Sequence, residues 1–556
     1  MKTLKILTVA MIIIMLASCS ADYLEEAPPN LFSSETLLQD YKGFEAALNG
    51  LYNIARHARW QSEKIENAIN GVDNFSSNRG RSDFMYEWNT LSADDDDIKE
   101  TWAWLYEIIY SCNNIITFSE NEDIDWRGGI ADAEENKNRI VAEARALRAW
   151  AYRRLAWSWG DVPLSTSLIK TIVTDWERAP VAEVRRQIID DFKWAQQYVP
   201  TEASLQGRIT KGAVQTFLAE TYLTVGKPDS ALYWCDQAIN NPAYQLTTER
   251  YGVFASDHDG SAYGDMFKHT PDKGNQNRED GNAEALWVWQ FDLYNLDGQG
   301  HEMSRATVGE YNLFHPAGTP LANLTLQFTY ARGGRGKSYF TPTKYWIDSY
   351  EPQDDRAQNY IMRKFFILKT EAENAPGNGA DRLPDSTWAY GDTIWLDGSA
   401  ENQPTVDHNH VPNWPYSRKG EGTDPADMVA DFAWSDQIYL RLADTYLLKA
   451  EALFKLGRSA EAADVINIIR ERSNATPITG ADVTLDFILD ERNRELIIEE
   501  DRRYTLLRTH TWLERTRMYN KYGGETVEDK DTLFPIPQTV IDANLTGPFP
   551  QNPGFN

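Results

Sequence analysis

The chain has 556 residues, 42% hydrophobic and 25% charged, enough for a large core in one big domain or two intimate ones. A formal charge of −28 argues against nucleic acid or an anionic membrane surface as partner, and is compatible with an exposed protein that binds neutral ligands. The 19 Trp, 27 Tyr and 21 Phe fill a core and leave a surplus for a binding surface.

Lys2 and Lys5 precede an apolar run from Ile6 to Leu16, the pattern of a secretory signal peptide. The run is too short to anchor the chain by spanning a bilayer. It closes on Leu16-Ala17-Ser18-Cys19. From Ser34 to Arg59, Leu37, Leu38, Tyr41, Phe44, Leu48, Leu51 and Tyr52 share one face of a predicted helix. Gly71 to Asn89 then reads as a loop rich in Asn, Ser, Asp and Gly that also carries Phe75, Phe84, Tyr86 and Trp88. Flat rings cover the C–H faces of a pyranose, and Asp, Asn and Arg bind its hydroxyls. The same loop also fits a bland reading, in which its rings plug it to the core. Asp94 to Asp97 suits the N-terminus of the helix that follows, where negative charge meets the helix dipole. The run lacks the alternating ligand spacing of a calcium loop.

Arg139 to Leu164 is the most informative stretch. Ile140, Ala144, Leu147, Ala151 and Leu155 fall on one helical face, Gly160 caps the end, and Pro163 prevents a restart. Arg139, Arg145, Arg148, Arg153 and Arg154 ride on this helix and need carboxylate partners. Val181 to Tyr198 is its expected partner in another helix pair, without the repeat register of the two pairs that follow it along the chain. Lys211–Val225 with Ser230–Asn240, and Tyr439–Leu456 with Ala460–Ser473, form two further helix pairs. Ala219, Gly226, Ala231 and Ala238 have the spacing of Ala450, Gly457, Ala462 and Ile469. Small residues at crossings and a Gly in the turn are the packing of tetratricopeptide hairpins, which close their core only by stacking on neighbours. The prediction is a mainly α, tetratricopeptide-like scaffold of about four pairs, with a large loop-rich insertion and a few short strands. Cys112 and Cys235 fall in helices and read as buried thiols, not a disulfide.

The insertion, Tyr244 to Ser435, is irregular and long enough to be functional. Leu286 to Phe291 predicts a short strand with Trp287 and Trp289 facing a core, and Trp346 reads as structural. Tyr311, Phe314, Tyr330, Tyr339, Trp388, Tyr390, Trp395, Trp414 and Tyr416 lack an evident structural role. Asp407-His408-Asn409-His410 has no third ligand predictable from sequence, so no metal is assigned. Gly333 to Lys337 lacks the spacing of a phosphate loop. Neither a GxSxG elbow nor an HExxH helix occurs, and no carboxylate pair stands out, so no catalytic residue is assigned.

The Arg-rich helix closing on Gly160-Asp161-Val162-Pro163-Leu164 resembles the signature helix of the SusD/RagB family of nutrient-binding lipoproteins. Ile438 to Ala452, Leu489 to Leu496, Asp501 to Arg508, Leu533 to Gln538 and Gln551 to Phe555 resemble that family's closing motifs in order. Glu500-Asp501 stands where the family usually has Gly-His or Gly-Lys. Arg418-Lys419 resembles a short family strand. Ala17-Ser18-Cys19 resembles a lipobox, and Asp22, Glu25 and Glu26 resemble surface-export signals.

The resemblance implies a signal peptide over 1–18 and lipidation at Cys19. A helical region would cover 19–243, a ligand-facing insertion 244–435, and a closing repeat region 436–556. It implies an outer-membrane protein, facing the exterior and held by its lipid, that captures oligosaccharide and passes it to a SusC-like TonB-dependent transporter, without cofactor or catalysis. The repeat face would meet the transporter and the loop-built face the glycan. Asp73, Asn74, Arg81, Trp88, Tyr311 and Trp388 are the candidate glycan contacts. The rival readings are a peptide-capturing member of the same family and a surface glycoside hydrolase.

Overall fold

A computed structural model describes residues 34–60, 67–77, 84–269, 281–292, 300–311, 326–374, 379–383, 386–396 and 414–555. Helices of seven or more residues are α1 (Tyr41–Ala55), α2 (Asp96–Phe118), α3 (Ala133–Trp159), α4 (Val181–Tyr198), α5 (Lys211–Thr224), α6 (Pro228–Ile239), α7 (Leu442–Lys455), α8 (Ser459–Arg472), α9 (Leu485–Leu496), α10 (Arg502–Arg508) and α11 (Trp512–Tyr519). They pack in sequence, α1 on α2, α2 on α3, α3 on α4, α4 on α5, α5 on α6, then α6 on α7 and α7 on α8. That gives four stacked helix pairs, the solenoid logic expected of the repeat spacing.

Helix α3 is the axis. Asp132 caps its start by accepting from the Glu135 N–H, and Gly160 ends it at φ 72°. From Ile140 to Trp159 every residue but Arg145 is buried, so the helix is enclosed on all sides. Its arginines are paired as their burial demands. Arg139 bonds Glu143 at 2.8 Å, Arg148 bonds Asp191 at 2.7 Å, and Arg153 bonds Glu220 at 2.7 Å and Asp501 at 2.9 Å. Arg154 lies over the Trp104 and Trp150 rings.

The pairs α5–α6 and α7–α8 turn at Gly226 (φ 70°) and Gly457 (φ 74°), the left-handed conformation that glycine adopts freely. Ala219, Ala231, Leu448 and Ala452 share one buried cluster, so these pairs stack directly although some 200 residues separate them. Asp95 caps α2 by accepting from the Ile98 N–H, as the acidic run suggests. Cys112 and Cys235 are buried free thiols.

Among the described residues, four two-stranded antiparallel sheets complete the fold. They pair β1 (Phe75–Ser77) with β3 (Phe340–Pro342), β2 (Ala285–Trp289) with β8 (Gln437–Arg441), β4 (Met362–Arg363) with β7 (Tyr416–Ser417), and β5 (Phe365–Ile367) with β6 (Thr393–Trp395). The β2–β8 pair draws the early part of the insertion against the chain just after it. It also corrects the expected helix start at Tyr439. Tyr439 lies in β8, where backbone pairing competes with the helix, and its hydroxyl donates to Asp501 at 2.8 Å. Trp287 and Trp289 face the core as expected, but all five residues of β2 are buried, so the strand is enclosed on both faces. Trp346 is fully buried. Arg418-Lys419 is not a strand; it forms a 3₁₀ turn just beyond β7.

Candidate functional site

The candidate contacts Asp73, Asn74 and Trp88 of the loop from Gly71 to Asn89 are buried. Asp73 is fully buried, its carboxylate held by Arg502 at 2.6 Å and Arg515 at 2.8 Å. Burial alone would raise its pKa, but the two guanidiniums hold it below the usual carboxylate range. Asn74 donates from Nδ2 to the Asn493 side chain at 3.0 Å. Trp88 is fully buried, edge-on to Trp512, with the Arg503 guanidinium 5.2 Å from its ring. These three expected glycan contacts are therefore corrected to interior positions. They brace the N-terminal region against α9, α10 and α11, and no sugar reaches them in this conformation. Arg81 and Cys19 lie outside the described residues, as do Phe314 and the Asp407–His410 run.

Tyr311 is also corrected to an interior role. It is fully buried in a small core inside the insertion, packed with Phe366, Ile394 and Tyr416, and its hydroxyl donates to the Gly334 carbonyl at 2.6 Å. Trp388 packs on the edge of that core and is half-buried. It does not share a cluster with Asp73, Asn74 and Trp88; the six candidates do not form one site.

Exposed rings occur on the helices, at Tyr110, Tyr198 and Tyr233, and on the insertion, at Tyr390, Trp395 and Phe432. In the β5–β6 ladder Phe366 opposes Ile394, and both point into the small core. By the alternation of a strand, Phe365, Ile367 and Trp395 point outward. Trp395 is 64% exposed, and its ring lies 4.9 Å from that of Phe365 directly opposite. Ile367 and Tyr390 are exposed too. Asp381 ties the end of β5 to the segment around Arg332. It pairs with Arg332 at 2.6 Å and accepts from the Gln327 and Lys369 backbone N–H groups, while Arg332 donates to the Ile367 carbonyl. An exposed indole on a strand is a flat platform on which a ring can stack.

The segment that leads into β5 also walls a pocket of about 220 Å³. Tyr330, Tyr360, Phe267, His269, Lys268 and Arg418 supply its rings and polar groups. The His269 Nε2 faces the Glu421 carbonyl at 2.6 Å, so that nitrogen carries a proton. Nδ1 lies 2.6 Å from the Tyr330 hydroxyl and accepts from it. Burial pushes the imidazole below its ordinary range, which favours this neutral tautomer. Burial alone would raise the Glu421 carboxyl, but Arg363 and Arg418 hold it below the usual carboxylate range.

Sequence reasoning singled out Tyr330, Tyr390 and Trp395 only as aromatics without a role, and missed His269, Tyr360 and Glu421. These residues lie far apart along the chain, and no local spacing links them. A second cleft, about 320 Å³, lies between α2, the segment after α3 and the closing segment. Trp102, Tyr106, Tyr110, Trp176 and Phe549 line it, with few polar groups among them, so it suits an apolar guest better than a sugar.

Comparison with known proteins fits this architecture. The model of the SusD family matches residues 256–555, more than half of the chain. The chain belongs to the SusD family. A second model, described as starch-binding and associating with the outer membrane, matches residues 22–223 of this SusD-family chain. A SusD-like protein of Formosa agariphila is 26% identical over 97% of this chain and 94% of its own length. Among solved structures, a laminarin-binding SusD-like protein superposes with a TM-score of 0.66 at 20% identity, covering 92% of this chain and 99% of its own. The surface glycan-binding protein A of Bacteroides thetaiotaomicron gives 0.65 at 19% identity, covering 93% and 100%. Both structural likenesses speak for the fold.

Proposed function

We propose that this SusD-family protein captures oligosaccharide on the outer surface of the outer membrane. Trp395, a mostly exposed indole on a strand of the insertion with the Phe365 ring against it, carries this reading. Sugar rings stack on the indole, and the neighbouring polar groups bind their hydroxyls. The names of the relatives support it, since one structural neighbour binds laminarin and another is a surface glycan-binding protein. Cys19 would carry the lipid anchor, with residues 1–18 removed as signal peptide. The captured glycan would pass to a SusC-like TonB-dependent transporter, with the insertion (244–435) as the ligand-facing part and the helical regions on either side of it as the frame.

The reading is capture without chemistry. Glu421, the buried carboxylate beside the pocket, is held ionised by two guanidiniums, whereas a general acid needs a raised pKa. The mature protein truncated after Cys19 is expected to be retarded in affinity electrophoresis by at least one class of polysaccharide, and Trp395→Ala to weaken that retardation. Retardation that Trp395→Ala leaves unchanged would move the site off the hairpin. Copurification of a TonB-dependent transporter from detergent-solubilised outer membranes tests the hand-off.

A further inference from the structure

Two pairs of cations flank the 220 Å³ pocket, and Asp355 stands near Tyr360 on its wall. On one side Lys268 and Arg250 face Asp257 and Asp265. Lys268 Nζ is 3.3 Å from Asp265 and 3.8 Å from Asp257, and Arg250 Nε is 2.6 Å from Asp265. Two cations meet two carboxylates there. On the other side Arg363 and Arg418 share the single carboxylate of Glu421. Arg363 Nη2 takes Oε1 at 2.7 Å and Arg418 Nε takes Oε2 at 2.8 Å, so both oxygens are used. Arg418 Nη1 donates to the Asn359 carbonyl at 3.2 Å. Among the described residues its Nη2 has no hydrogen-bond partner, and a quarter of the side chain stays exposed at the pocket wall. His269 is neutral and offsets nothing.

A guanidinium held in place by one carboxylate, with its second edge open to a pocket, is a ready fork for an anionic group. We infer that this pocket takes an acidic sugar, a pyranose whose carboxylate or sulfate ester meets Arg418 while its ring lies among Tyr330, Tyr360 and Phe267. The inference rests on the glycan reading above and narrows it. It also runs against the chain's overall charge of −28, which repels anions at long range. The two are compatible, because surface charges are screened beyond about 8 Å at physiological salt while a contact inside a partly desolvated pocket is screened much less.

Affinity electrophoresis of the mature chain in gels of polygalacturonate, alginate and carrageenan, beside neutral laminarin and galactomannan, tests this. Retardation by an acidic gel is expected. Loss of retardation when the carboxyl groups of a bound uronan are methyl-esterified marks a carboxylate, and retardation confined to carrageenan marks a sulfate. Arg418→Gln is expected to weaken binding roughly tenfold or more, and Arg418→Lys to keep part of it. If Arg418→Gln does not fold, the carboxylate and ester comparison on the unaltered chain, or the carrageenan gel against the neutral gels, decides the matter. Retardation by neutral gels alone, or acidic binding unchanged in folded Arg418→Gln, overturns the acidic sugar and leaves glycan capture standing. Retardation by no gel, with free-carboxylate peptides binding in calorimetry, overturns both.

Discussion

The scaffold and the insertion both bury ion pairs but differ in the elements that hold them. In the scaffold, long helices bury paired charges deep in the core, as with Arg153 between Glu220 and Asp501. In the insertion, strands of two or three residues enclose a small satellite core and leave Trp395 and Tyr390 in solvent. Removing one member of a buried ion pair strands the other charge, whereas trimming an exposed ring strands nothing. So lesions in the scaffold should cost stability, and lesions on the outer face of the insertion should cost binding.

The largest expected effect separates those two outcomes at Asp73. Asp73→Ala leaves Arg502 and Arg515 without their shared carboxylate and should destabilise the protein by about 3–5 kcal/mol, read as a lowered denaturation midpoint. The folded fraction should bind glycan as the unaltered protein does. A stable Asp73→Ala protein that has lost its ligand would return Asp73 to the site.

Acid should also weaken the scaffold. Burial alone would raise the Glu491 carboxyl, but Arg494, Arg356 and Arg470 hold it down to about 2. A folded-state pKa below the unfolded value gives stability that is complete above the unfolded pKa and is lost as pH falls through the folded one. Stability should therefore fall between about pH 4.5 and pH 2, and Glu491→Gln, destabilised at neutral pH, should show a shallower acid slope. Denaturant titrations at stepped pH measure both.

A smaller loss is expected in the repeat turn. Gly457 sits at φ 74° with nothing within 4 Å of where a Cβ would stand, so Gly457→Ala costs only backbone strain, about 1–2 kcal/mol. The smallest change in stability belongs to Trp395→Ala, within about 0.5 kcal/mol because the ring is mostly in solvent. Its affinity loss should be the plainest of the four. If Trp395→Ala unfolds the hairpin instead, the contrast between the two regions fails.

Much of the scaffold could be read from the chain because its signals are local. The Val181–Tyr198 partner of α3, the Gly226 and Gly457 turns and the Asp95 cap follow from periodicity and capping within a few residues. The candidate contacts were a different matter. Aromatic and polar residues in a Gly- and Asn-rich loop look alike whether they face a sugar or a core, and for Asp73 the answer came from Arg502 and Arg515, more than 400 residues away. Tyr311 and Trp395 carried the same signal in the sequence; one fills a core and the other is exposed.

By itself the sequence determined the helix pairs, their turns, the need of the α3 arginines for carboxylates and the place of the long insertion, because each depends on neighbours along the chain. The tertiary structure alone decided which rings stay in solvent, which carboxylate each arginine takes, and that Arg418 and Arg363 share Glu421 beside a pocket. Those outcomes depend on distances between segments that sequence spacing does not encode.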